Sequence, residues 1–316
     1  YKRQPLDREV LFVDDSLDRG APLDREHDAF WWELLQNSGR FTEKELDPEI
    51  AWYESGGPSD TDYLNLIPPR LSQLGRYKLV IWQTNGSGWC GNSALFQTAH
   101  QSNVLRAYLA AGGKLWLGGW LTLAATLRGP DCQYEGTRPP TPAADFGYPH
   151  SYAPGDFAWD TLKLLTLKAD NDKGSDWFNG MVRVDEWNPA NPLLPRMDVD
   201  PGKFLPAYWE QKALNHCDAL FDPIYTDGVP DFRGDLDSLY AYVAAGPVRK
   251  PGDHKYVSEF DGRLCATRWH DPSPDREQGR VMWFGFPLYP MLNHQAQETF
   301  NRAMDWFREE TLPEPP

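Results

Sequence analysis

No run of about 18 apolar residues occurs in the chain, which excludes a helix able to cross a bilayer. Basic residues are few and dispersed. Lys and Arg number 31 against 46 Asp and Glu, a formal charge of −15. With no basic cluster to neutralise a phosphate backbone, nucleic acid is excluded as a partner. No C-x-x-C pair is present, so zinc ribbons and thioredoxin-type redox motifs are not expected. The phosphate loop G-x-x-x-x-G-K-[ST], the serine elbow G-x-S-x-G and the zinc motif H-E-x-x-H are also missing. The seven histidines, at 27, 100, 150, 216, 254, 270 and 294, share no metal-ligand spacing, and no internal repeat is visible.

What is present is aromatic and punctuated. Fourteen Trp, 14 Tyr and 15 Phe accompany 28 Pro and 26 Gly, a composition that argues against disorder and for a large core. Four cysteines permit two disulfides, and pairing within each half gives Cys90–Cys132 and Cys217–Cys265. The other reading is four buried thiols. The sequence opens at Tyr1 without an apolar leader, and residues 311–316 read as a linker or ragged tail. Both features suggest a piece of a larger exported protein, extracellular or at a cell surface.

Apolar periodicity predicts strands at 9–14, 50–53, 77–82 and 114–118, with helices at 26–37 and 100–111 between them. Strand and helix alternating through short joins imply βαβ units and an open, mostly parallel α/β sheet with helices on both faces. Residues 1–127 form the first part of this core. Residues 128–237 read as a large irregular α+β insertion with one helix, at 157–168. Residues 238–310 bring back short strands at 238–244, 255–260 and 263–269, then a hydrophobic strand at 280–286 and a helix at 294–309.

Three segments together carry a family resemblance. They are Leu11-Phe12-Val13-Asp14-Asp15; the pair of strands 77–82 and 114–118 with the helix between them; and Gly279-Arg280-Val281-Met282-Trp283-Phe284-Gly285-Phe286 with the last helix. The chain resembles the class I glutamine-amidotransferase-like, flavodoxin-like fold, in the variety found as accessory modules of secreted bacterial multidomain proteins. The resemblance implies a nucleophilic Cys on the sharp turn after strand 114–118, where a helix N-terminus would lower its pKa. Here Leu117-Gly118-Gly119-Trp120-Leu121 puts Trp120 in that position, and an indole is no nucleophile. The family's catalytic His falls on Phe286-Pro287-Leu288-Tyr289-Pro290, which contains no imidazole. Amidotransferase chemistry is therefore not expected.

Two constellations remain. Open α/β sheets bind ligands at the carboxyl ends of their strands. That crevice would gather Asp14, Asp15, Asn85, Gly86, Ser87, Trp89, Gly119 and Trp120, suited to a sugar or a cation. The same residues also read as helix caps, tight turns and core, and Asn85-Gly86-Ser87 also fits an N-glycosylation pattern. The second is Asp170-Asn171-Asp172-Lys173-Gly174-Ser175-Asp176, where Asp170, Asp172 and Asp176 alternate as a short calcium loop requires; a solvated turn is the other reading. No other cofactor is expected. The functional expectation is a non-catalytic accessory module whose partners are neighbouring domains, a second copy or a glycan. The alternative is a carbohydrate-active hydrolase using Asp14 and Asp15.

Overall fold

The computed structural model describes residues 5–15, 24–55, 67–85, 94–96, 98–99, 103–120, 122–123, 150–164, 166–169, 177–183, 194–200, 202–203, 218–222, 236–245, 262–270 and 279–308. The first half runs β1 (Arg8–Asp15), α1 (Asp24–Asn37), α2 (Pro48–Ala51), β2 (Trp52–Glu54), α3 (Leu71–Leu74), β3 (Tyr77–Asn85), α4 (Ala94–Phe96), α5 (Val104–Ala110) and β4 (Lys114–Trp120). There follow β5 (His150–Ser151), a single π turn α6 (Ala158–Leu162), β6 (Thr166–Ala169), β7 (Trp177–Arg183), β8 (Asp218–Asp222), β9 (Leu236–Ala245), β10 (Leu264–Trp269), β11 (Val281–Phe284) and α7 (Asn293–Arg308).

All these strands join one sheet, in the order β2-β1-β3-β4-β11-β10-β8-β6-β5, with β9 on β10 and β7 on β9. Every pairing from β2 through β11 is parallel. In chain order those five strands lie 2-1-3-4-5, the order of a doubly wound sheet whose switch point falls between β1 and β3. Beyond β11 every pairing is antiparallel. The general α/β class thus follows from the sequence, while the middle of the chain does something it did not announce. Its described strands β5, β6 and β8 continue the sheet beyond β10, and β7 joins it through β9.

The parallel strands are apolar on both faces, as burial between two helical layers requires. On one face Val10, Phe12, Leu79, Ile81, Trp116, Met282 and Phe284 pack against Phe30, Trp31, Leu34 and Leu35 of α1 and Phe300, Ala303, Met304 and Phe307 of α7. On the other, Leu11, Val13, Val80, Trp82, Leu115, Leu117 and Trp283 meet Leu74, Leu105, Tyr108, Leu109, Ala158 and Leu162. Trp116 lies at the centre of the first layer, with its ring centroid 5.8 Å from Trp31, 5.2 Å from Phe284 and 5.7 Å from Phe300. Cations close the carboxyl end of α7: Arg280 donates to the Trp306 carbonyl and Lys114 to that of Phe307. Arg268 and Arg280 both lie over the Trp306 ring, at 5.1 and 5.4 Å.

Two sequence expectations change here. The predicted helix at 157–168 is only the π turn α6: Lys163 adopts a left-handed φ of 60°, and the chain enters β6 three residues later. Pairing of β6 with β8 supplies backbone hydrogen bonds that override a local helical preference. The disulfide Cys217–Cys265 is not formed. Cys265 is a buried thiol on β10, inside the α1/α7 layer, and its Sγ donates to the Tyr240 carbonyl at 3.4 Å. It packs as a small apolar side chain, which is the commonest use of cysteine in a core. Cys90, Cys132 and Cys217 lie outside the described residues. Cys265 is accordingly expected to resist a maleimide in native protein and to react after denaturation, read by peptide mass spectrometry. Full labelling under native conditions would contradict its burial.

Candidate functional site

The carboxyl end of β1 carries two adjacent acids, and alternation along a strand sends them to opposite faces. Asp15 lies on the α4/α5 side. Its Oδ1 accepts from Ser55 Oγ at 3.0 Å and from the Ala94 N–H at 3.0 Å. Its Oδ2 accepts from the Trp82 indole N–H at 3.2 Å and from the Leu95 N–H at 2.8 Å. One carboxylate thus ties the end of β1 to β3, to Ser55 just past β2 and to the first residues of α4. Burial pushes the Asp15 carboxyl above the ordinary range, and the four donors only partly oppose that. Both oxygens are occupied within the fold, so Asp15 is a structural tie.

Asp14 lies on the α1 side, fully buried, at the head of a row that the register lays across the sheet. It pairs with Glu54 of β2 and with Gln83 of β3, Gln83 pairs with Gly118 of β4, and Gly118 pairs with Phe284 of β11. Gln83 is buried, and its Oε1 has no hydrogen-bond partner. Its amide occupies the space a side chain at 118 would need, because a Cβ there would fall 2.8 Å from Nε2. Gly118 is therefore what admits a polar group to this row.

The second turn's worth of residues in α1 completes the site. A ring nitrogen of His27 and one carboxylate oxygen each from Asp14 and Asp28 lie within 4.8 Å of one another. His27 is 2% exposed; its Nε2 accepts the Trp31 indole N–H at 3.1 Å and its Nδ1 has no partner. An indole can only donate, so the neutral ring carries its proton on Nδ1. Burial pushes the imidazole down to about 3. Next to it stands Tyr289, its ring centroid 6.4 Å from that of His27, on the segment after β11. That segment is held by Lys203, whose Nζ donates to the carbonyls of Tyr289 at 2.7 Å and Met291 at 3.0 Å and to the Asn293 side chain. Burial lowers Lys203 to about 8, with Asp200 and Glu33 opposing the shift. Phe286 and Leu288, where the resemblance would place an imidazole, are buried apolar side chains.

The His27 shift sets a pH dependence. Its folded value lies below the unfolded one near 6.5, so the stability it contributes is intact above pH 6.5 and is lost as pH falls toward 3. In chelator-treated protein this one group contributes a slope of up to about 1.4 kcal/mol per pH unit in that window. His27→Gln, whose amide oxygen can still take the Trp31 N–H, is expected to flatten the slope measured by urea unfolding at a series of pH values. An unchanged slope would assign the acid sensitivity elsewhere.

Of the residues singled out from sequence, Asp14 and Asp15 stand at the end of β1 but do not meet. Asn85 and Trp120 are register partners at the ends of β3 and β4, and Gly119 precedes Trp120 with a φ of +117°. Gly86, Ser87 and Trp89 lie outside the described residues, as do Asp170, Asp172 and Asp176 of the calcium-loop candidate. Sequence reading missed His27, Asp28, Gln83 and Gly118. The available signal was a His-Asp pair on the first helix after a strand ending in Asp, which matters only if that helix packs over the strand end. Comparison with protein-family models, curated proteins and solved structures finds no match for this chain.

Proposed function

We propose that the chain is a non-catalytic, amidotransferase-like accessory module of an exported or cell-surface protein, serving assembly, display or contact with a glycan or a neighbouring domain. The observation that carries this reading is the carboxyl end of β4, which stays paired with β3 through Thr84–Gly119 and Asn85–Trp120 where the resemblance implies a sharp turn bearing a nucleophile. Gly119 lies there, with a φ of +117°, against the backbone of its β3 partner Thr84, so closely that a Cβ would fall 2.0 Å from the Thr84 carbonyl oxygen. The next residue in the sequence is Trp120, whose indole has no nucleophilic atom. The segment after β11 offers no base. Parallel strands in the order 2-1-3-4-5 are consistent with the family's scaffold. The carbohydrate-hydrolase alternative needs two carboxyl groups flanking one bond, about 5 to 9.5 Å apart. Asp14 and Asp15 face opposite sides of the sheet, and Asp15 already accepts four hydrogen bonds, which argues against that pair.

The test is a turnover assay of the whole chain against glutamine, peptide and glycoside substrates. No turnover above background is expected. Turnover that disappears in Asp14→Ala while the protein stays folded would overturn the reading.

A further inference from the structure

We propose that Asp14, His27 and Asp28 form a binding site for a divalent transition cation of the Mn²⁺ or Zn²⁺ kind at the carboxyl end of β1. The inference is independent of whether the module is catalytic. Three potential ligand atoms from two elements converge to within 4.8 Å of one another. Ligand bonds of about 2.0–2.2 Å to one ion bring such atoms closer together, a change within reach of side-chain rotation. The second observation is the His27 ring itself. It is 2% exposed, and its Nδ1 is a buried polar atom with no partner, a state that ordinarily costs about 1–3 kcal/mol and calls for an explanation. Since Nε2 faces the Trp31 indole, Nδ1 is the nitrogen left to face a ligand. One imidazole with two carboxylates is a mixed nitrogen–oxygen set. It suits Mn²⁺ or Zn²⁺, whereas Mg²⁺ and Ca²⁺ take oxygen ligands almost exclusively.

The contact with Trp31 gives the site a fingerprint. Ligation through Nδ1 moves the ring proton to Nε2, which can then no longer accept the indole N–H. Cation uptake therefore breaks the His27–Trp31 hydrogen bond.

The experiment uses the full chain, stripped with a chelator and dialysed, and titrated by calorimetry with Mn²⁺, Zn²⁺, Mg²⁺ and Ca²⁺. The expected result is one saturable site for Mn²⁺ or Zn²⁺. It should weaken by about tenfold or more, equivalent to about 1.4 kcal/mol, in each of Asp14→Asn, Asp28→Asn and His27→Gln. In ¹⁵N-labelled protein a single indole N–H resonance should shift on saturation with Zn²⁺, and the shift should vanish in His27→Gln. Near-UV circular dichroism checks that each variant is folded; Asp28→Asn, at a half-buried position, keeps the test open should Asp14→Asn unfold. No saturable binding at millimolar cation would overturn the site. So would binding that all folded variants retain, or Mg²⁺ and Ca²⁺ binding as tightly as Zn²⁺ and ignoring His27→Gln. Each of these outcomes leaves the turnover assay unaffected, so the two readings fail separately.

Discussion

Replacing Asp15 by Ala is expected to cost about 3–5 kcal/mol of folding stability, the largest effect of any single polar side chain at the strand ends. The loss arises from what the substitution strands. The Trp82 indole N–H and the Ala94 and Leu95 backbone N–H groups are buried and rigidly placed, and each loses its acceptor. An orphaned buried donor costs about 1–3 kcal/mol, and only the Ser55 hydroxyl can rotate to find another partner. Asp15→Asn should recover about half of the loss, because one carbonyl oxygen remains while the amide NH₂ confronts a donor. The measurement is the urea midpoint at constant m-value. A loss below about 1 kcal/mol for Asp15→Ala would mean that the carboxylate does not tie these elements, and would return Asp15 to the pool of ligand-binding candidates.

The second expected result is that Gly119→Ala costs more than about 4 kcal/mol and lowers the melting temperature by about 10 °C or more. Two effects add. A φ of +117° is a conformation that L-residues rarely adopt. In addition, the new Cβ would stand 2.0 Å from the Thr84 carbonyl oxygen and 2.7 Å from its nitrogen, both backbone atoms of β3. Relief requires prising β4 from β3 at the register pair Thr84–Gly119, beside the switch point. Gly39→Ala provides the control: its φ is +62° with nothing within 4 Å of the added carbon. Left-handed strain alone, about 1–2 kcal/mol, is expected there. Equal losses at the two positions would refute the steric account of the close β3–β4 approach at Gly119.

Much of the parallel half was legible because its signals are local. The apolar runs at 9–14, 77–82 and 114–118 appear as Arg8–Asp15, Tyr77–Asn85 and Lys114–Trp120, the first longer by one residue at each end and the other two by three and two residues at the carboxyl end. A strand buried on both faces must be continuously apolar, and helices such as 26–37 and 294–309 announce their inward side by spacing. The abundance of Trp was legible in the same way: Trp82, Trp116 and Trp283 are fully buried in the two layers. The segment 157–168 misled because its spacing of Phe157, Leu162 and Leu164 suits a helix, whereas the partner that makes part of it a strand, β8, lies some fifty residues later.

The candidate site divides along the same line. From sequence alone come the acids at the end of β1, the two glycines that fall near the end of β4 and the absence of a nucleophile at position 120. Their roles could not be read there. Asp14 and Asp15 are neighbours in the chain, yet the pleat sends one toward α1 and the other toward α4, where donors 40 to 80 residues distant fix its use. His27 and Asp28 meet Asp14 only because α1 folds back over the end of β1, and Gln83 joins their row only through the parallel register. Composition and periodicity act over a few residues and determine which segments are buried. Which polar groups face one another inside that burial depends on register and crossover, and those exist only once the strands have paired.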